Sequence, residues 1–123
     1  MSFPTGRPSL RRRPEMTVQI YFIGASGATY RYLSREGQRL SPSGGNFVFA
    51  RETEDGMAVI FAGEAENLLT LADARWDEAQ SRFGATHAFF RLNVAASVRR
   101  HERADLIGAY APPMNAADEA AGG

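Results

Sequence analysis

The stretch "AVIFAGEAENLLTL", Ala58–Leu71, contains an apolar strand that runs through a glycine into a helix. Its first half is an unbroken apolar run, which is typical of a central strand covered on both faces. Its second half begins a helix near residues 66–83, because apolar residues recur at helical spacing: Leu68, Ala72, Trp76, Ala79 and Phe83. Gly63 lies between the two elements. A glycine at such a junction can let the backbone approach a ligand, or it can simply end a strand.

The flanking sequence supplies the remaining elements. Alternating or apolar runs predict strands at 46–51 and 86–92, and an Asp55-Gly56 turn joins the first of these to the Ala58 strand. A second helix is predicted at 96–110, where Pro112-Pro113 stops it. The sequence therefore predicts an α+β fold, a small three-stranded antiparallel sheet flanked by helices. Largely buried side chains are expected at the helical stripe positions Leu68, Trp76, Phe83 and Leu106.

Regions outside this unit differ in composition. Residues 1–16 combine prolines with arginines and predict a disordered basic arm. Residues 17–44 predict an extra N-terminal β-hairpin around "GASGA", followed by a polar loop. Residues 45–115 hold the α+β domain, and 116–123 are expected to form a flexible tail.

Composition limits the function classes. The chain has no cysteine, which excludes disulfides, cysteine nucleophiles and zinc–thiolate sites. Its 14 basic residues balance 14 acidic ones, so the net charge gives no general attraction to nucleic acid. No apolar run approaches 18 residues, and a cytoplasmic protein without a membrane partner is therefore expected.

Four stretches in order resemble the motifs of the GIY-YIG nuclease domain. They are "GNF" (Gly45–Phe47), "FAG" (Phe61–Gly63) with "EAENL" after it, "GATH" before the third strand, and "ERADLIGAYAPPMN" (Glu102–Asn115). The resemblance implies that residues 45–115 adopt this fold. It also implies that Gly63 is the motif glycine, and that Gly24 in "YFIG" is not.

The family cleaves phosphodiester bonds with tyrosines that help to activate water, a helix arginine and a glutamate that holds one Mg²⁺. Matched residue by residue, Phe47 and Phe61 stand at the tyrosine positions and Leu71 at the arginine position. Arg75, one turn further along the helix, could reach the vacant place. The metal ligand implied is Glu102, although another register puts Arg103 there. Asn115 is retained.

Two observations leave the function open. Glu102 falls on the apolar side of its helix, so an ion pair with Arg91 or Arg75 competes with metal binding. Arg99, Arg100 and Arg103 form a basic cluster that suits nucleic acid or a solvated helix face, whereas the helix near Arg75 is rich in acids. The sequence therefore favours a divergent, catalytically impaired GIY-YIG-like module that associates with DNA or with an unidentified protein. The alternative is an active Mg²⁺-dependent endonuclease.

Overall fold

In residues 18–35 and 42–122, the part of the chain that this computed structural model describes, five strands and three helices follow one another. Their order is β1 (Gln19–Ile23), β2 (Thr29–Ser34), β3 (Gly45–Thr53), β4 (Gly56–Ala65), α1 (Leu68–Phe83), β5 (His87–Leu92), α2 (Ala96–Tyr110) and α3 (Pro113–Gly122). The predicted basic arm at 1–16 lies outside the described residues, as does the loop segment 36–41.

All five strands belong to one antiparallel sheet with the order β1-β2-β5-β3-β4. The three predicted core strands are β3, β4 and β5, and β3 pairs with both of the others. The prediction of a three-stranded sheet is nevertheless wrong, because the N-terminal hairpin β1–β2 belongs to the same sheet and brings it to five strands. Phe90 of β5 pairs with Leu33 of β2 on one side and with Phe47 of β3 on the other, so β5 joins the hairpin to the rest of the sheet.

The alternation of side chains along β3 divides the core into two layers. Phe47 and Phe49 contact the apolar cluster shared with α1 and α3, whereas Val48 and Ala50 contact the cluster that includes Leu106 of α2. This period of two is the pattern that a strand buried on both faces requires. The sheet therefore has helices on both faces.

Strand β4 is an edge strand, whereas the apolar run suggested a central one. A β-bulge explains how so many of its side chains are buried. Ala50 pairs with Val59 directly after Phe49 pairs with Phe61, so Ile60 is the extra residue. Ile60 and Phe61 consequently both contact the cluster on the α1 side. Contacts with all three helices then cover β4.

Helix α1 begins and ends at recognisable caps. The side chain of Asn67 accepts hydrogen bonds from the backbone N–H groups of Leu69 and Thr70, and Gly84 ends the helix with a left-handed φ of 73°. Leu68 is buried as expected, but Trp76 and Phe83 are only partly buried. Trp76 is only partly buried because it packs on Phe49 on one side and lines a surface cavity of about 290 Å³ on the other.

Helix α3 replaces the flexible tail that the sequence suggested. Ala111 takes a left-handed φ of 45°, which ends α2 and allows a new helix to begin at Pro113. Pro suits the first position of a helix because its missing N–H has no partner there in any case. Met114 and Asn115 are buried and attach α3 to the domain. Among the helices in the described part of the chain, none is long and apolar enough to cross a membrane.

Candidate functional site

A cleft of about 330 Å³ opens at the outer edge of β4, where the three helices approach one another. Side chains from three helices and two strands line it: Phe47, Phe61, Gly63, Glu64, Leu71, Arg75, Arg100, Arg103 and Asp118. Six of the predicted site residues are therefore brought together from four different elements. Three others, Arg99, Glu102 and Asn115, are not among the residues that line the cleft.

Two phenylalanine rings form the apolar floor of the cleft. Phe47 of β3 and Phe61 of β4 have their ring centroids 5.7 Å apart, and both residues are almost fully buried. A phenyl ring has no hydroxyl group, so neither can donate a hydrogen bond to a bound molecule or to water. The floor offers apolar surface and the negative face of an aromatic ring.

The two glycines that the sequence contrasted have different roles. A Cβ on Gly63 would overlap Cζ of Phe47, so only glycine lets that ring lie across β4. A Cβ on Gly24 would overlap Oδ2 of Asp105, whose carboxylate also accepts hydrogen bonds from the backbone and the hydroxyl of Ser26. Gly63 thus shapes the cleft, whereas Gly24 lets α2 attach to the β1–β2 turn.

Arg75 lies directly over the cleft floor. The Cζ atom of its guanidinium is 5.0 Å from the centroid of the Phe61 ring, within cation–π range. Asp118 accepts two hydrogen bonds from it, at 3.0 and 2.9 Å, and Oε1 of Glu78 accepts two more. The bonds to Asp118 contribute most to raising the pKa of Arg75, burial opposes them, and Glu78 adds to them. Arg75 therefore stays protonated.

Arg100 and Arg103 supply positive charge that no acid within residues 18–35 and 42–122 pairs with. Both line the cleft from α2, and neither forms an ion pair with any residue in the described ranges. Of the cleft's acids, Asp118 pairs with Arg75 and Glu64 pairs with Arg99. Two cationic side chains consequently remain available to an anion at the cleft.

Arg99, the third residue of the predicted basic cluster, has a structural role. Its side chain is buried, Nε donates to Oε1 of Glu64 at 2.8 Å, and Nη1 donates to the carbonyl oxygens of Asn93 and Val94. These bonds tie the first turn of α2 to the end of β4 and to the loop before α2. The predicted nucleic-acid-binding set is thus split, with Arg99 facing inward.

Glu102 belongs to a separate buried network. Its Oε1 accepts hydrogen bonds from Arg91 at 3.0 Å and from Asn93 at 3.3 Å, and its Oε2 accepts one from the hydroxyl of Tyr32 at 2.6 Å. Only 1% of Glu102 is exposed. Of the two ion-pair partners suggested by sequence, Arg91 is therefore the one it contacts, whereas Arg75 is bonded elsewhere.

The donors around Glu102 do not fit the magnesium ion that the resemblance implies. Mg²⁺ needs near-octahedral oxygen coordination, usually including several waters. Both oxygens of Glu102 already accept hydrogen bonds, and a guanidinium occupies the nearby space. Within residues 18–35 and 42–122, no group of three or more His, Asp or Glu side chains is placed to hold a metal ion.

The side chain of Asn115 forms hydrogen bonds with the edge of β4 and does not line the cleft. Its Oδ1 accepts a hydrogen bond from the N–H of Ala62 at 2.8 Å, and its Nδ2 donates to the carbonyl of Ala62 at 2.9 Å. The amide side chain thus takes the place of a neighbouring strand at one residue of the edge. This pairing fixes α3, and with it Asp118, beside the cleft.

Asp118, like Glu64, is a cleft residue that the sequence did not identify as part of a site. It lies in the segment expected to be flexible, and its partner Arg75 is 43 positions earlier in the chain. The only available signal was the high alanine content of residues 116–121, which favours a helix. Nothing in the local sequence indicates which arginine such a helix would meet.

Comparison with known proteins gives no relative: no protein-family model, no curated protein and no solved structure matches this chain.

Proposed function

We propose that this chain is a GIY-YIG-like domain with a divergent site, and that its cleft binds the phosphate backbone of nucleic acid, DNA being the candidate, without cleaving it. The observation that carries the proposal is the convergence of Phe47, Phe61, Gly63 and Arg75 on one cleft. Motif order picked out Phe47, Phe61 and Gly63, and Arg75 was chosen because it lies one turn beyond Leu71. These four residues lie on three separate elements and line the same 330 Å³ space, which Glu102 and Asn115 do not. Chance matches of short motifs would be expected to scatter over the fold.

Loss of cleavage is supported by the chemistry of these side chains. The phenyl rings at both tyrosine positions cannot help to activate water, since they carry no hydroxyl. Glu102 is committed to Tyr32, Arg91 and Asn93, so no carboxylate at the implied metal position faces the cleft. Arg103, the residue of the other register, lines the cleft in its place and is a cation.

Phosphate binding is supported by Arg100 and Arg103, which have no acid partner among the residues that the structure describes. Guanidinium groups bind phosphate oxygens in a bidentate manner, and the surrounding apolar floor keeps the local dielectric constant low. The ring of Phe61 contacts the guanidinium of Arg75 from below and so keeps a third arginine at the cleft. Two acids of α1 are already paired with arginines: Glu78 with Arg75 and Arg82, and Asp73 with Arg35.

The test is binding of a fluorescently labelled duplex and of the corresponding single strand, followed by anisotropy between about 50 and 200 mM salt. We expect a negative slope of log affinity against log salt. The double variant Arg100→Ala/Arg103→Ala should lower the magnitude of that slope by about 2, since each phosphate contact contributes about 0.9.

The matched control is Arg31→Ala/Arg51→Ala, which removes two exposed arginines outside the cleft. It should leave both affinity and slope close to wild type. Equal losses in the two double variants would indicate a general charge effect and contradict the proposal. Absence of salt-dependent binding would favour a protein-binding module. Nicking of plasmid DNA that requires Mg²⁺ would favour the active endonuclease.

A further inference from the structure

Asp118 and Arg75 form a two-pronged ion pair inside the cleft. Nη1 of Arg75 donates to Oδ2 of Asp118 at 3.0 Å, and Nη2 donates to Oδ1 at 2.9 Å. Two parallel bonds from one guanidinium to two oxygens of one acid are also the geometry of an arginine bound to phosphate. The carboxylate of Asp118 therefore occupies the place that a phosphate would take.

The pair is accessible from solvent and is not part of the core. The side chain of Arg75 is 26% exposed and that of Asp118 is 36% exposed, so a dissolved anion can reach both. Ion pairs of this exposure contribute little to the free energy of unfolding, because water and salt screen them. Exchange of one anion for another at Arg75 is consequently not opposed by a large loss of folding energy.

The attachments of both residues allow Asp118 to leave without disturbing the cleft. Helix α3 is fixed by the buried residues Met114 and Asn115, which precede Asp118 by about one turn. Arg75 keeps its bonds to Glu78, with Nε and Nη2 at 3.3 and 3.1 Å from Oε1, so its guanidinium stays over Phe61. A rotation of the Asp118 side chain is therefore sufficient.

We infer that Asp118 is an internal competitor for the cleft: it occupies Arg75 in the free protein and is displaced by a phosphate group of the ligand. This inference rests on the proposed function and adds a residue that determines specificity. A ligand with closely spaced negative charges, such as a phosphate backbone spanning Arg75, Arg100 and Arg103, displaces Asp118. A ligand with a single carboxylate does not displace Asp118, because it offers Arg75 only the bonds that Asp118 already makes.

The test compares Asp118→Asn with Glu119→Gln. Both changes remove one negative charge from α3, but Glu119 is exposed, lies outside the cleft and forms no ion pair in the described part of the chain. With the labelled strands as the probe, Asp118→Asn should bind about two- to fivefold more tightly than wild type, the factor that corresponds to an exposed ion pair. Its salt slope should steepen by up to about 1, because in wild type the phosphate contact of Arg75 replaces an existing ion pair, whereas in the variant it is a net gain. Glu119→Gln should match wild type.

Two further measurements separate this effect from a structural one. The gain should vanish in the double variant Arg75→Gln/Asp118→Asn when it is compared with Arg75→Gln alone. In wild type, pyrophosphate should shift the Nε–H signal of Arg75 in a nitrogen–proton NMR spectrum, and acetate should not. The pyrophosphate result does not depend on whether Asp118→Asn folds well.

The possible failures are distinguishable. If wild type binds DNA with a steep salt slope but Asp118→Asn shows no gain and the Arg75 signal does not respond to pyrophosphate, the competitor role is overturned and the proposed function stands. If the gain equals that of Glu119→Gln, a general charge effect explains it and the role of Asp118 is again overturned. If no variant binds nucleic acid, the proposed function and this inference fail together.

Discussion

The hydroxyl of Tyr32 donates a 2.6 Å hydrogen bond to Oε2 of Glu102, and both side chains are buried. Tyr32 belongs to β2, in the N-terminal hairpin, whereas Glu102 lies in the segment that resembles the nuclease family. Burial, followed by the negative charge of Glu102, raises the pKa of Tyr32 well above its usual value, so the phenol remains a donor. The β1–β2 hairpin therefore contacts, through Tyr32, the glutamate that the resemblance implies as a metal ligand.

The first prediction concerns Glu102→Gln. The substitution keeps the shape but removes the charge that Arg91 and Tyr32 both contact. We expect the free energy of unfolding to fall by about 1–3 kcal/mol, less than for a fully buried pair because Arg91 is partly exposed. Urea denaturation measures this change, and the exposed Glu66→Gln serves as control.

The same variant tests the metal hypothesis. We expect Mg²⁺ or Mn²⁺ to leave the melting temperature of wild type unchanged, since a ligand that binds the folded state would raise it. A concentration-dependent rise in wild type that disappears in Glu102→Gln would contradict this expectation. It would favour the active endonuclease.

The second prediction concerns Asn115→Ala. The change removes both bonds to Ala62 and leaves its N–H and C=O at the sheet edge without a side-chain partner. Unfolding should become easier by about 1–3 kcal/mol, the usual cost of unpaired buried polar groups. The backbone amide of Ala62 should also lose protection in hydrogen exchange. Glu119→Ala on the same helix is the control, and unchanged exchange at Ala62 would show that the edge is protected by other contacts.

The third prediction concerns Gly63→Ala. The added methyl group meets the Phe47 ring, which must move within a packed core. We expect a loss of about 1–3 kcal/mol, typical of overpacking. Phe47→Leu in the same chain should recover part of it, because a smaller side chain leaves room. A double-mutant cycle measures this coupling, and strictly additive effects would show that the two positions do not touch.

The fourth prediction concerns the pH dependence at Asp105. A hydrogen bond from Ser26 first, and one from Tyr30 next, lower the pKa of Asp105 below its usual value. A lowered pKa in the folded state contributes stability above the unfolded pKa of about 3.9, and this contribution is lost as pH falls through the folded value. The difference in unfolding free energy between wild type and Asp105→Asn should therefore shrink below about pH 4.

Carboxyl carbon shifts in NMR measure the pKa of Asp105 directly. Ser26→Ala should raise this pKa toward the ordinary value, because it removes the largest cause. Ser81→Ala, at an exposed position on α1 outside the Asp105 contacts, should not. An unshifted pKa in Ser26→Ala would show that the hydroxyl bond is not the cause.

Local sequence pattern was sufficient to predict helix α1 and the β3–β4 hairpin. Helix α1 has a 3.6-residue apolar period and a glycine cap, and the Asp55-Gly56 signal marks the β3–β4 hairpin, whose turn residues are Glu54 and Asp55. The pairing of β2 with β5 has no such signature, because Leu33 and Phe90 are 57 positions apart (90 − 33) and each would suit many neighbours. The five-stranded sheet was therefore not predictable from periodicity alone.

Helix α3 gives a second reason why the structure differs from the fold predicted from sequence. The helix is only ten residues long, a length at which even an alanine-rich helix is marginal without tertiary contacts. Met114 and Asn115 stabilise it through tertiary contacts. The motifs pointed to cleft residues on β3, β4 and α1. They could not point to Asp118, because its place in the cleft depends on how α3 packs on the domain.

The position of β5 between β2 and β3 has a consequence during synthesis of the chain. A ribosome makes both hairpins, β1–β2 and β3–β4, before it makes β5, the strand that joins them. A nascent chain that ends before His87 therefore carries two separate hairpins, and the inner edges of β2 and β3 are both open. Open edges pair readily with a wrong strand or with another chain. We expect released fragments ending near Phe83 to aggregate, whereas chains that include β5 and α2 close both edges within one molecule.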